Sequence, residues 1–265
     1  YFPDRVVPML PEALSNDLCS LRPDEDRASL AVHMWINKDG KLLRYKFVRA
    51  LIRSHARTIY ENVQALHDGT SDKHKEIKHH IDNLYGAFAV LDEARKKRGA
   101  LDLELPERQI LINDDGDMTG VKPRSRVDAH KLIEEFMVLA NVAAAMALED
   151  QRAPCVYRVH DQPKADRLHN AGEFIEGFGL SLPKGENIKP KKLNHLLNQA
   201  SSLPYQHLIH MVILRTQSQA RYSPDNIGHY GLALAKYAHF TSPIRRYADL
   251  LVHRALVRAY DLGSG

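Results

Sequence analysis

Two cysteines and one tryptophan are all that the 265 residues contain of either type. Cys19 and Cys155 form no C-x-x-C pair and have no companions, which excludes a disulfide scaffold and a thiolate zinc site and points to a reducing cytoplasm. No apolar run reaches the ~20 residues a membrane helix requires, because Lys, Arg or His breaks the longest ones. Neither an initiator methionine nor a signal peptide opens the chain. The start, Tyr1-Phe2-Pro3-Asp4-Arg5, is that expected of a partial chain. Internal repeats and low-complexity tracts are missing too, so a solenoid or propeller is excluded. What remains is ordinary globular material: 44% hydrophobic, 26% charged, enough for one large or two modest cores. A net charge of +4 leans toward polyanionic partners without demonstrating one.

Residues 1–27 hold four prolines and no period, which predicts an ordered loop. Leu30, Val32, Met34 and Ile36 alternate with Ala31, His33 and Trp35, predicting a strand over 28–36. Lys38-Asp39-Gly40 turns the chain into a second strand over 41–52. Ser54 is placed to cap a helix to about Leu66, and a second helix starts near Ser71. The second buries Ile77, Ile81, Leu84, Phe88 and Leu91 and ends at Gly99 after the basic turn Arg95–Arg98. Short strands are expected at Leu101–Leu105, Gln109–Ile112, Met118–Lys122 and Cys155–His160. Helices are expected at Asp128–Glu149, 164–177, 190–200, 204–218 and 243–260, with 219–242 irregular. The sum is an α+β fold, a mixed or antiparallel sheet packed with helices, read as one domain over 1–265.

Chemistry concentrates in Tyr237–Asp249. Ser242 before Pro243 is a helix-start signal, yet two arginines, Arg245 and Arg246, follow in the first turn, where the helix dipole is already positive. Free N–H groups, the Thr241 and Ser242 hydroxyls and two guanidinium forks would converge there, and a phosphate suits them best. The plain alternative is a solvated helix start with Asp249 pairing Arg245. On helix 128–149, His130, Glu134 and Asn141 fall on one stripe, either the wall of a polar groove or an exposed seam. Facing a groove, Glu134 can accept a bond from a ribose hydroxyl, which separates RNA from DNA. Glu135 is expected to pair with Lys131 at the surface. Tyr1 and Tyr60 are stacking candidates, against the simpler reading of half-buried packing residues.

Other clusters read as structure. Asp114-Asp115-Gly116-Asp117 sits between two strands and is a hairpin turn before it is a metal cluster. Asp24-Glu25-Asp26 between Arg22 and Arg27 is a solvated turn. Among fifteen histidines, His207 and His210 share a helix face without a third ligand, so no histidine metal site is expected.

Together these segments resemble a known family. Tyr1–Pro11, Leu14–Leu21, Asp128–Met137 and Tyr237–Asp249 are similar to the RNB catalytic domain of the ribonuclease R and ribonuclease II exoribonucleases, closer to bacterial ribonuclease R. The resemblance implies processive 3′-to-5′ hydrolysis of single-stranded RNA to nucleoside 5′-monophosphates. It implies that Tyr1 stacks on bases near the 3′ end, that Tyr60 and Glu134 contact ribose, that Arg245 holds the scissile phosphate and that Arg246 supports it. A further family aromatic falls near Leu103, and leucine packs but does not stack. The family's Mg2+ is held by aspartates upstream of the segment beginning at Tyr1, so this chain alone is expected to be inactive. The family's flanking oligonucleotide-binding barrels are not in the chain either. The expected setting is a cytoplasmic monomer bound to single-stranded RNA, with no membrane and no double-stranded DNA. The alternative is a non-catalytic RNA-binding fragment or inactive relative. A DNA-reading helix at 243–260 is disfavoured because Tyr247, Leu250, Leu251 and Val252 make it apolar on too many sides.

Overall fold

A computed structural model describes residues 2–123, 126–183, 185 and 187–264. In chain order it shows β1 (Asp26–Ile36), β2 (Leu42–Arg53), α1 (Tyr60–His67), α2 (Lys78–Arg98), β3 (Arg108–Ile112), β4 (Met118–Pro123), α3 (Asp128–Asp150) and β5 (Tyr157–Val159). There follow α4 (Ala165–Glu176), α5 (Pro190–Ala200), α6 (Gln206–Thr216), β6 (Arg221–Ser223) and α7 (Tyr247–Ala259). The strands form three two-stranded sheets, so the α+β expectation holds with small sheets in place of one larger one. No helix among the described residues is long and apolar enough to cross a membrane. The chain divides into two compact units, one of Tyr1–Ala94, Gln109–Val156 and Ala238–Gly265, the other of Arg95–Arg108 and Tyr157–Tyr237.

In the first unit, β1 and β2 pair antiparallel from Asp26↔Arg53 to Trp35↔Arg44, with a register shift at Trp35/Ile36. Asn37 closes the turn: its side-chain oxygen accepts the N–H groups of Asp39 (3.0 Å) and Lys41 (2.9 Å). Gly40 is required there twice over. Its φ is +72°, and a Cβ would lie 2.6 Å from Ala94 Cβ and 2.8 Å from the Val90 carbonyl oxygen. Gly40→Ala should therefore lower stability by about 1–3 kcal/mol through overpacking, read from a thermal melt.

The hairpin turns Phe47, 3% exposed, against Phe240 at 5.3 Å between ring centroids, edge to face. Beside it the Tyr45 hydroxyl donates to Asp150 at the end of α3. Leu66, Ile81, Tyr85, Phe88 and Leu132 make the core among α1, α2 and α3. Tyr85, not the expected Leu84, faces inward, because its ring stacks on His67 at 3.7 Å while its hydroxyl reaches Gln64 at 3.0 Å. The Ser54 cap is also overturned. Ser54 bridges to Pro23, and α1 begins only at Tyr60. Likewise α2 starts at Lys78, after a 3-10 turn at Lys75–Ile77. Asp114 to Asp117 form the expected hairpin turn, with Gly116 at φ +89° and the Asp117 N–H bonded to Asn113 Oδ1 at 2.8 Å.

The second unit packs Ile175, Leu193, Leu196, Leu197, Ile209 and Ile213 from α4, α5 and α6 into one cluster, on which Leu103 also packs. Leu101–Leu105 is not a strand. The N–H groups of Leu101, Asp102 and Glu104 go instead to the Gly231 carbonyl (2.7 Å), Asn194 Oδ1 (2.9 Å) and His210 Nδ1 (2.9 Å). Two buried histidines are thus held neutral. His210 accepts at Nδ1, and its Nε2 is buried with no hydrogen-bond partner among the described residues. His160 accepts the Gly231 N–H at Nδ1 (3.0 Å) and donates from Nε2 to the Ser218 carbonyl (2.8 Å). Burial pushes both pKa values down. A histidine whose folded pKa is depressed binds its proton in the unfolded chain first. Stability should therefore fall as pH drops below ~6.5, by up to about 1.4 kcal/mol per pH unit for each such group. Melting midpoints between pH 7.5 and 5.5 check this, and a midpoint that does not fall would reject it.

Candidate functional site

The site is organised from α3. Asn141, 2% exposed, points its side-chain oxygen at the loop before α7 and accepts the N–H groups of Phe240 (2.8 Å) and Thr241 (3.2 Å). From α7, His253 donates its Nε2 proton to the Phe240 carbonyl at 2.8 Å and stacks on the Phe240 ring at 4.6 Å, and burial pushes its pKa down. The loop is thus clamped from both helices.

The Ser242-Pro243 signal does not start α7. The Ser242 carbonyl accepts the N–H groups of Arg245 (3.3 Å) and Arg246 (3.1 Å), which closes one isolated turn. Arg246 then leaves the helical region at φ −141°, ψ 118°, and α7 begins at Tyr247. Asp249 accounts for the break. Its carboxylate has no exposed surface. It accepts the Ser242 N–H (2.7 Å) and two donors of Arg246, Nε and Nη2, both at 2.8 Å. A continuous helix from Pro243 would not return Ser242 and Arg246 to one carboxylate. Asp249 therefore pairs with Arg246, not with Arg245 as the plain alternative had it.

Two consequences follow for an anion. The backbone N–H groups at 240, 241, 242, 245 and 246 are all taken, so none of these five is left for an anion. Arg245 is exposed, and its guanidinium makes no hydrogen bond or ion pair among the described residues. Thr241 Oγ1 is buried with no hydrogen-bond partner among them, a costly state for a hydroxyl unless it has a further partner. Ser242 sits between the two, partly buried.

Tyr60 stands at the first position of α1, and its ring stacks on His130 of α3 at 4.0 Å and 23°. One turn along α1, Gln64 Oε1 accepts the Ala129 N–H at 3.2 Å and so ties α1 to the start of α3. Glu134 follows His130 by a turn of α3, half exposed and paired with Arg126, a partner the spacing does not suggest. Glu135 corrects another expectation: it is 7% exposed, and Lys131 pairs instead with Asp128 at 3.0 Å. Counting 1.5 Å per residue, Glu134 and Asn141 lie about 10 Å apart on one stripe. One end of that stripe carries the Tyr60–His130 stack, and the other holds the Arg245 loop. Tyr1 lies outside the described residues.

Asn141 was legible only as a polar member of the stripe, while its clamping role needed the loop's backbone position. The Arg246–Asp249 pair had a signal, the i, i+3 spacing. Among the described residues no three His, Cys, Asp or Glu gather as a metal-ligand group. The donors present do not fit a magnesium centre.

The site is thus an exposed arginine on a clamped loop, with an aromatic and a carboxylate upstream, in a small-sheet α+β fold. The chain belongs to the RNB domain family, which it matches over residues 1–261. It is 44% identical to ribonuclease R of Vibrio parahaemolyticus over 97% of this chain and 31% of that protein. It is 40% identical to ribonuclease R of Escherichia coli over 97% of this chain and 32% of that one. The chain therefore spans about a third of the length of these curated relatives. Its fold is similar to that of Mycoplasma genitalium RNase R in complex with ribose methylated single-stranded RNA, with TM-score 0.92, 28% identity and coverage of 98% of this chain and 42% of that one.

Proposed function

We propose that this chain supplies the phosphate grip and the ribose-reading wall of a processive 3′-to-5′ exoribonuclease that cuts single-stranded RNA to nucleoside 5′-monophosphates. The observation that carries the reading is Arg245: a guanidinium with no partner among the described residues, on a loop whose backbone is pinned by Asn141, Asp249 and His253. A cation carried on a fixed backbone stabilises charge that grows on a phosphate oxygen. Arg246 is a positioning residue in this scheme. The Thr241 and Ser242 hydroxyls border the grip. Tyr60 offers a ring face to a nucleotide, Glu134 accepts a ribose hydroxyl, and Tyr1 stacks nearer the 3′ end.

Magnesium dependence belongs to the same proposal but rests on the family resemblance alone. Among the described residues no three His, Cys, Asp or Glu are grouped to hold the ion. The chain by itself is proposed to be inactive, and a monomer in the cytoplasm is its proposed setting. The test is a labelled oligoadenylate with magnesium, given in parallel to this chain and to a protein of the relatives' full length. Mononucleotides from the longer protein are expected. RNA retained there without mononucleotides would leave an RNA-binding module that does no chemistry.

Glu134→Leu should cost about tenfold in preference for ribose over deoxyribose oligonucleotides, the size of one hydrogen bond to a charged group. Glu134→Gln, which keeps an acceptor, should cost less. Competition binding of matched RNA and DNA reads the ratio, and an unchanged ratio in both variants would remove Glu134 from the wall.

A further inference from the structure

The β1–β2 hairpin has a second face, opposite the one that carries Phe47. Directly opposed pairs share a face, so Val32/Phe47 and Met34/Tyr45 lie on the one that meets Phe240 and Asp150. The other carries Ser29/Ala50, Ala31/Val48, His33/Lys46 and Trp35/Arg44, and none of these eight is buried. His33, Trp35, Arg44 and Lys46 are all exposed. The Arg44 guanidinium lies 3.8 Å from the Trp35 ring centroid, and the His33 ring centroid lies 6.1 Å from it at 31°. Lys38 and Lys41 extend the positive charge into the exposed turn.

Charge is strongly one-sided here. Between Arg27 and Ile52 the only carboxylate is Asp39, at the tip, while Lys38, Lys41, Arg44 and Lys46 make no ion pair among the described residues. A cross-strand Arg–Trp pair alone explains the stacking of one side chain on another, since it contributes ~0.5–1 kcal/mol at an exposed site. It does not explain four cations that make no ion pair among the described residues on the hairpin of a tryptophan that keeps 39% of its surface in solvent. An aromatic plane backed by guanidinium and flanked by ammonium groups is the composition that accepts a stacked base and its neighbouring phosphates. The His33/Lys46 and Trp35/Arg44 pairs sit about 7 Å apart along the strand, comparable to one phosphate step of an extended single strand.

We propose that this outer hairpin face is a contact site for single-stranded RNA, with a base stacked at Trp35 and phosphates held by Arg44, Lys46 and Lys41. The proposal rests on the reading of the chain as RNA-binding and adds a place where the strand is held. Trp35 is the only tryptophan, so its emission reports on this face alone. Titrating the 265-residue chain with oligoadenylate should quench that emission saturably. Anisotropy of a labelled oligoadenylate measures total binding in parallel. Trp35→Ala should weaken binding about 5- to 100-fold, the effect of one lost stack. Arg44→Ala with Lys46→Ala should lower the slope of log affinity on log salt by about 1.4, two phosphates' worth for a single strand. Both changes are at exposed positions, and circular dichroism confirms that the fold persists.

Binding by anisotropy without a change in emission, and with affinity untouched by the three substitutions, would overturn the hairpin site and leave the exoribonuclease reading standing. No binding at all would overturn both. Equal quenching by inorganic polyphosphate would overturn the base stack. Quenching that depends on protein concentration without RNA would assign the face to a second copy of the chain.

Discussion

Replacing Arg245 with alanine is expected to slow phosphodiester cleavage by about a hundredfold while RNA binding changes by far less. The magnitude is that of one preorganised donor removed from a developing negative charge. The asymmetry has a structural source. Many groups along a bound strand share the ground-state affinity, but on the present reading only Arg245 meets the phosphate that reacts. Its guanidinium has no internal partner among the described residues. The substitution therefore breaks no contact in the folded protein and should leave the melting temperature nearly unchanged. Single-turnover release of mononucleotides, with binding measured separately, distinguishes the effects. Equal losses in rate and affinity would reduce Arg245 to one more binding contact.

Asp249 is expected to give the opposite signature. Asp249→Ala strips a carboxylate with no exposed surface of three donors, the Ser242 N–H and two guanidinium N–H groups of Arg246. Breaking one side of a buried pair leaves the other charge desolvated, at a cost of about 3–5 kcal/mol. Urea denaturation should show it as a lower midpoint at unchanged slope. Asp249→Asn keeps an acceptor for Ser242 but not the charge for Arg246. It should fold, with a smaller loss of stability and a slower turnover at unchanged KM, because the Arg245 turn is no longer fixed. A loss below about 1 kcal/mol in Asp249→Ala would mean that the carboxylate does not anchor the loop.

The same pair marks where local sequence rules stop. Ser242-Pro243 is a sound helix-start signal and does make a turn, but a carboxylate six residues past the proline decides where the helix begins. Alternation over Leu101–Leu105 failed for a related reason. Its backbone donors are claimed by Gly231, Asn194 and His210, all more than ninety residues away in sequence. By contrast, the hairpin strands, the α2 stop at Gly99 and the whole of α3 were legible, since period two, a left-handed glycine and a long apolar stripe are local properties. At the candidate site, the residue types and the His130–Glu134–Asn141 stripe could be read from spacing. The division of labour between the two arginines could not, because it depends on which one a buried acid captures.

Ala143, Ala144, Ala145 and Ala147 on α3 have no exposed surface at all. Methyl groups pressed on every side give a rod that cannot slip, roll or bow without collision. They anchor the helix whose His130 lies against Tyr60's ring and whose Asn141 holds the Thr241–Arg245 turn. Two added methyl groups in that seam, as in Ala144→Val, would displace α3 and disturb both ends together, though they touch neither.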